Sequence, residues 1–458
     1  MLIITLVIFA VYVTLQLLYI FFPLFTVKNE NNIKSAEKEK GISIIIPAYN
    51  EEKIILNCLI GIKNLNYSNF EAIIVNDGST DKTLNLLIDH LQFEPTHRKL
   101  PAIKIPHQRV IEVYRSKLFP KFFLINKING GKADALNAGI EYSAKEIVVT
   151  LDADSILEHK SLQAINASFQ DYKVVAAGGM VQIIQGFQGN RVEPKTTFKK
   201  PGIIRYQILQ YLTDFYLHKL IQTKFKSVIV ISGAFGAFRK EVLFQVGGYR
   251  NTVGEDMDIT LKIHQLIKTN RAYKKSKLVF IPQAQCYTEC PETYKDLYNQ
   301  RTRWNKGFFD CAMYYKSTFF KTLGLRLSFF FLVEYLMLST LNAVTVLFIP
   351  VMLLINSNHF IIAVSLYTVI ILLSIYQSIA TFIVSSRFGL KYSISNYLKI
   401  ALFIPIEMVS YRFLGVVFII SGMILYLKNK EKWTVSKRIG ASSQLYNEQL
   451  TVQKDQAM

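Results

Sequence analysis

The sequence predicts an α/β protein, a doubly wound and mostly parallel sheet, within a chain that also enters a membrane. Three observations predict it. Short β-branched apolar runs recur, each followed by a polar loop and then by apolar residues at helical spacing, the alternation that builds a parallel sheet. One of them, residues 147–157, reads IVVTLDADSIL: a run typical of a strand buried on both faces, ending in Asp152 and Asp154. Long uncharged stretches lie towards both ends of a chain of 458 residues that is 51% hydrophobic, a clustering that marks membrane segments.

Residues 1–25 carry no charge and exceed the roughly 20 apolar residues that a crossing needs. They lack a short apolar core followed by a small-residue cleavage site, so the segment reads as a retained helix. Further apolar stretches cover residues 328–355, 360–385 and 400–427. The charged residues 28–40 follow the first span and place its end in the cytoplasm. The NSNH link at 356–359 has no Lys or Arg and belongs outside, whereas Arg387, Lys391 and Lys399 put the next connection inside. Pro405, Glu407 and Arg412 interrupt the last stretch and a basic tail follows it. The expectation is therefore three spans plus an interfacial or re-entrant fourth segment, with residues 428–458 inside.

The formal net charge is +20, but the basic residues are dispersed and no nucleic-acid motif accompanies them. Anionic membrane lipid, not nucleic acid, is the expected partner of that charge. Of the four cysteines, Cys58, Cys286, Cys290 and Cys311, only Cys286 and Cys290 are close, and no second pair completes a zinc site. Reduced cytoplasmic thiols are expected.

Taken in order, residues 42–46 form a strand, PAYNEE a loop, and Leu56, Leu59, Ile60 and Ile62 a helix face. Residues 70–75 give the next strand, ending in NDGSTD, and residues 84–91 the next helix, capped by Asp81. Asp77 then shares a sheet edge with Asp152. Residues 94–119 are basic, contain Pro95, Pro101 and Pro106, and read as an irregular insertion. In NGGKADALNAGI, residues 129–140, two glycines precede Lys132 at a helix start, where backbone N–H groups and a cation can meet an anion. The same pattern also serves as an ordinary junction between loop and helix.

Residues 174–184 look like a strand and 185–202 like a polar loop. Gly233, Ala234, Gly236 and Ala237 suit either a ligand close to the backbone or tight packing between strands. GEDMD puts Glu255, Asp256 and Asp258 at a helix start, where acids are also favoured simply by the helix dipole. Residues 296–309, DLYNQRTRWNKGFF, mix cations and aromatics on a helix that suits the membrane interface or a phosphate-bearing substrate.

At the carboxyl end of a strand, Asp152 and Asp154 stand where open α/β sheets bind ligands. Two carboxylates so spaced can hold a hard cation, Mg2+ or Mn2+, able to bridge a diphosphate. Their alternative use is as caps or solvated turn residues.

Together these motifs resemble the membrane-embedded branch of glycosyltransferase family 2, whose members include cellulose, chitin, hyaluronan and poly-N-acetylglucosamine synthases. The resemblance covers residues 41–307, with the motifs in the family's order. It implies a cytoplasmic GT-A domain at 41–295, between a transmembrane helix at 1–26 and an interfacial helix region at 296–323 followed by a membrane region at 328–427. It implies that Pro47, Ala48, Tyr49 and Glu51 line a nucleotide pocket with Asp77, Lys132 and Asp152, and that Asp154 holds the metal. Asp256 matches the catalytic aspartate of a Thr-Glu-Asp motif in which Gly254 replaces the threonine. QRTRW, with Gln300, Arg301, Arg303 and Trp304, fits a signature of processive members and, with Glu255, is assigned to the acceptor and diphosphate.

The physical chemistry runs the same way. Loss of a diphosphate needs positive charge at the leaving group, the incoming hydroxyl needs a base, and Arg303 offers a planar fork. The implied activity is inverting transfer of a sugar, N-acetylglucosamine by resemblance, from a UDP-sugar to a growing β-linked polysaccharide at the cell membrane. Accessory export proteins stay unidentified. Two alternatives keep the same sequence features: single-sugar transfer to a lipid carrier or glycolipid, and a non-catalytic membrane scaffold or transporter.

Overall fold

The computed structural model describes residues 2–27, 33, 38–189, 194–333 and 360–428. The chain opens with the apolar helix α1 (Leu2–Thr26), about 37 Å long at 1.5 Å per residue. There follow β1 (Ile42–Ala48), α2 (Ile55–Lys63), β2 (Phe70–Asp77), α3 (Thr83–Leu91), β3 (Phe93–Pro95), β4 (Val110–Ser116), β5 (Phe122–Lys127) and α4 (Lys132–Tyr142). Next come β6 (Ile147–Leu151), β7 (Ser155–Leu157), α5 (Ser161–Phe169), β8 (Val174–Ile183), the short hairpin β9 (Phe187–Gln188) and β10 (Lys195–Thr196), then α6 (Gly202–Thr213) and α7 (Lys219–Lys224). The remainder is β11 (Phe235–Arg239), α8 (Lys240–Gln245), α9 (Glu255–Thr269), β12 (Lys277–Thr288), α10 (Tyr294–Tyr314), α11 (Leu325–Leu332), α12 (Phe360–Arg387) and α13 (Ile394–Lys428).

A ten-stranded sheet in the order β3-β4-β5-β2-β1-β6-β11-β8-β12-β7 organises these elements. Strands β5, β2, β1, β6, β8 and β12 run in one direction, while β4, β11 and β7 run against it. The central strands are buried on both faces, as near-continuous Ile and Val runs require. In the register, Ile42 lies opposite both Phe70 and Ile147, so β1, β2 and β6 end together at one edge.

The supposed insertion at 94–119 supplies β3 and β4, an antiparallel extension on the outer side of β5. β4 is exposed at Ile111, Glu112 and Arg115, which fall on both of its faces, so its apolar signal is weak. Helices α6 and α7 and strand β12 are three more elements that the apolar pattern does not announce. In β12 the register slips between Ile281 and Gln285, around Pro282, which has no N–H to give to the ladder.

Among the described helices, Phe9–Thr26 and Phe360–Arg387 are long and apolar enough to cross a membrane. Their carboxyl ends meet: Arg387 Nη1 donates to the carbonyls of Leu24 at 2.7 Å and Val27 at 2.6 Å. The stretch expected to be interfacial or re-entrant lies within one unbroken helix, α13, which continues through Pro405. A re-entrant turn is therefore corrected to a continuous helix: the helix packs along α6 and α10, with Tyr206 stacked on Tyr411 and Tyr298 edge-on to Phe418. Of the span expected at 328–355, residues 334–355 lie outside the described residues, as does the basic tail after Lys428.

Helix α9, which carries Glu255 and Asp256, is fixed from its far end by buried His264, whose Nε2–H donates to Val228 O at 2.8 Å. Burial pushes the His264 imidazole down to about 4. It stays neutral in the fold but takes up a proton near pH 6.5 when unfolded. The unfolded chain therefore binds more protons between these values, and this contribution to stability falls as pH falls. Lowering the pH from 6.5 to 4 should depress the thermal unfolding temperature of the wild type more than that of a His264→Gln variant; parallel curves would contradict the assignment.

Candidate active site

Because β1, β2 and β6 are parallel and in register, Ala48, Asp77 and Asp152 arrive at one sheet edge without any special contact. A cavity of about 1120 Å³ opens there. The residues that the resemblance assigns to the site all line it: Pro47, Ala48, Tyr49, Glu51, Asp77, Lys132, Asp152, Asp154, Glu255, Asp256, Gln300, Arg301, Arg303 and Trp304. Its other wall comes from Gln16 of α1, Gln377 of α12 and the facing sides of α6, α10 and α13.

The loops after β1 and β2 are tied by Asn50, whose Oδ1 accepts from the N–H groups of Thr80 at 2.8 Å and Asp81 at 3.3 Å. Asp77 is buried and fully engaged. Its Oδ1 accepts from the ammonium of Lys127 and from Gly130 N–H at 3.1 Å, and its Oδ2 from Gly131 N–H at 2.8 Å. Lys127, itself fully buried, lies 2.6 Å from Asp134 in the first turn of α4. Gly131 sits at φ +90°, a backbone state that favours glycine, and so delivers Lys132 to the cavity. The nucleotide contact that resemblance gives Asp77 is thus shared with a structural task, and Lys127, its partner, has no local sequence signal.

Lys132 is the knot of the site. Its Nζ lies 2.7 Å from Asp152 Oδ1 and 3.1 Å from Glu255 Oε1. Burial pulls its pKa down, but Asp152, Glu255 and Asp256 together outweigh burial and raise it, so the ammonium stays charged. Glu255 is raised above the ordinary carboxylate range, chiefly by burial and further by Asp256, against the pull of Lys132. Asp256 is oriented by two backbone donors, Gly233 N–H at 3.1 Å to Oδ2 and Met257 N–H at 2.8 Å to Oδ1. The small residues before β11 therefore serve the site through Gly233, while Gly236 pairs with Gly178 inside the sheet.

The start of α9 rests directly on α10. A side chain at Gly307 would come within 2.9 Å of Gly254 Cα, so the two helices meet backbone to backbone. Arg250 locks this contact: its Nε donates to Asp258 Oδ1 and its Nη2 to Asp310 Oδ2, both at 2.7 Å. Asp258 is completely buried and also accepts from Tyr315 OH at 3.0 Å, which makes it structural and separates it from Glu255 and Asp256. On α10, the guanidinium of Arg301 lies 4.2 Å from the ring centroid of Trp304, whose side chain is exposed towards the cavity.

Asp154 is nearly buried, and its Oδ1 accepts from Thr288 at 3.3 Å and Ser155 at 3.2 Å. Among the described residues no three His, Cys, Asp or Glu side chains assemble a metal cage. Mg2+ and Mn2+ are commonly held by one or two carboxylates together with substrate phosphates, and Asp154 with Asp152 supplies such a partial set of hard oxygens. The donor chemistry fits.

A largely parallel sheet with acids and a lysine at its carboxyl edge and apolar helices on both flanks defines a membrane-flanked protein of the GT-A glycosyltransferase fold. The model of glycosyl transferase family 2 matches residues 43–247, and that of glycosyl transferase family group 2 matches residues 147–383, about half the chain. The chain belongs to glycosyltransferase family 2. Poly-beta-1,6-N-acetyl-D-glucosamine synthase of Staphylococcus epidermidis is 28% identical over 277 residues, 60% of this chain and 56% of that protein. The enzyme of the same name from Staphylococcus aureus strain COL is 28% identical over 276 residues, with the same coverage. The match thus spans little more than half the length of these curated relatives. The solved mannosyltransferase PcManGT from Pyrobaculum calidifontis, in complex with GDP-Man and Mn2+, superposes with a TM-score of 0.54 at 16% identity, over 93% of this chain and 99% of that one, and shares the fold.

A Gly307→Ala substitution should lower stability by about 1–3 kcal/mol, because only backbone stands in the way of the added methyl. Arg250→Met should cost about 3 kcal/mol by leaving buried Asp258 without its main partner. Thermal unfolding in detergent measures both; unchanged midpoints would show that α9 and α10 are not clamped here.

Proposed function

We propose that the protein is an inverting glycosyltransferase of the cell membrane that transfers a sugar from a UDP-sugar to a growing β-linked polysaccharide. N-acetylglucosamine is the proposed sugar, because the matching curated relatives carry that sugar in their names. The observation that carries the reading is the convergence of Asp152, Asp154, Glu255, Asp256, Lys132 and the QRTRW residues, distant in sequence, on one cavity.

In this reading the acceptor hydroxyl attacks the anomeric carbon, the bond from that carbon to the diphosphate oxygen breaks, and UDP leaves with the bonding electrons. Asp256 receives the hydroxyl proton. Its two backbone hydrogen bonds hold the carboxylate in place through the transfer. Lys132, kept protonated by the acids around it, supplies positive charge for the departing diphosphate, with Arg303 assigned to the same task. Trp304 offers a ring face to the acceptor sugar. A bound Mg2+ or Mn2+, held by Asp154 with Asp152, would add positive charge at the diphosphate. Attack opposite the leaving group with a single base inverts the anomeric carbon.

The proposed orientation places the GT-A domain, residues 41–295, in the cytoplasm. The junction of α1 and α12 at Arg387 supports it, because both helices then reach the domain at the same membrane face. The loop after α12 also bonds the domain, where Thr196 Oγ1 donates to Lys391 O at 2.5 Å. We place α10, with residues 296–323, at the interface and α13 against it as a wall of the cavity. Polar side chains from α1, α6 and α12, Gln16, Gln210 and Gln377, line the side facing the lipid and support a path for product export.

Membranes containing the protein, incubated with a panel of radiolabelled UDP-sugars and Mg2+ or Mn2+, should form a long product from one donor. Asp256→Asn should slow it by at least about 100-fold. A product one sugar long would overturn the polymer reading in favour of glycolipid synthesis. Failure to turn over any UDP-sugar would overturn the enzymatic one.

A further inference from the structure

Arg301 is 4% exposed and lines the cavity, yet among the described residues it forms no ion pair, and its Nε and Nη2 have no hydrogen-bond partner. An unpaired buried cation is costly, so a guanidinium held this way stands ready for an anion. The two free donors are those of the side-on fork, which takes both oxygens of one carboxylate or phosphate. The molecule contains its own reference: Arg250 engages the carboxylates of Asp258 and Asp310 through the same two nitrogens, each at 2.7 Å.

The fork lies against two aromatic rings. Its guanidinium carbon lies 4.2 Å from the Trp304 centroid and 5.9 Å from that of Tyr211 on α6. Tyr411 of α13 closes the same lobe and donates from its hydroxyl to Gln210 Oε1 at 2.8 Å. Aromatic faces interleaved with amide side chains suit a saccharide, which offers apolar ring faces and many hydroxyls. Three acids of this part of the cavity have other contacts: Asp214 lies 3.5 Å from His218, Glu292 accepts from Gln185 at 3.3 Å and Asp296 accepts from Thr293 at 2.6 Å. The cluster around Lys132, which the mechanism uses for the donor's diphosphate, involves Asp152, Glu255 and Asp256 and not Arg301.

We propose that Arg301 is a specificity residue that seats an anionic group of the acceptor, a carboxylate or a phosphate, beside the sugar stacked on Trp304. This rests on the glycosyltransferase reading and narrows it: the acceptor is a charged glycan or a lipid-linked phosphate.

The test reads binding, so it does not depend on turnover. The chain has two tryptophans, Trp304 and Trp433, and a Trp433→Phe variant of the full protein makes Trp304 the sole emitter. Emission is titrated with a glucuronate-terminated β-linked tetrasaccharide, with its neutral glucose-terminated counterpart, with a short isoprenyl phosphate, and with UDP. The anionic saccharide or the isoprenyl phosphate should bind at least tenfold more tightly than the neutral saccharide, and the one that does identifies the source of the anion. Arg301→Gln should remove that preference and Arg301→Lys retain part of it. Equal affinity for charged and neutral saccharides, with no response to isoprenyl phosphate, would overturn the proposal even if both variants failed to fold. An Arg301-dependent response to UDP alone would overturn it too, by assigning the fork to the donor. Loss of UDP-sugar turnover with the anion preference intact would refute the transferase reading instead.

Discussion

The site depends on one cation among carboxylates. Asp152 at the end of β6 and Glu255 at the start of α9 come from distant parts of the chain, and at close range two anions repel. The ammonium of Lys132 removes that repulsion by lying within 3.1 Å of both. It can do so because Asp77 and Lys127 fix the glycine turn ahead of α4. The turn, the lysine and the acids form one electrostatic unit. A diphosphate entering it would meet a charged lysine and find carboxylates positioned to share a divalent ion.

The second constraint is mechanical. Helix α10 carries Arg303 and Trp304, and α9 carries Asp256, so the proposed chemistry between them needs a fixed separation. Backbone contact at Gly254 and Gly307 sets that separation, and the bridge from Asp258 through Arg250 to Asp310 keeps it. Gly254 stands where the family motif has threonine. With no side chain there, α10 approaches closely, so the departure from the motif has a steric role. On its other side α10 meets α13, where Tyr298 packs edge-on to Phe418 and joins the two helical walls of the cavity.

The sheet's centre was legible because strands buried on both faces leave unbroken apolar runs, as in β1, β2 and β6. Their acids were legible because parallel strands end together, so motifs remote in sequence fall on one edge. β4 was hidden because, next to the short edge strand β3, its exposed Glu112 and Arg115 dilute the apolar pattern with charge. β12 was hidden by the break at Pro282. Helices α6 and α7 are joined through a π-helical turn, Asp214–His218, that disturbs the period. In the site, the catalytic-type residues sit in recognisable short motifs, whereas Lys127, Arg250 and Tyr211 act only through tertiary contacts. The unpaired state of Arg301 could not be read from QRTRW, since burial and partners are properties of the fold.

In the proposed mechanism Asp152 stays committed to Lys132 until a diphosphate arrives, and Asp154 alone makes a poor cage. Mn2+ affinity, measured by electron paramagnetic resonance on the detergent-solubilised protein with and without UDP, tests this most directly. Binding should tighten at least tenfold when UDP is present. Equal and tight binding in both conditions would mean that the acids form a finished metal site by themselves, and the central role given to Lys132 would be wrong.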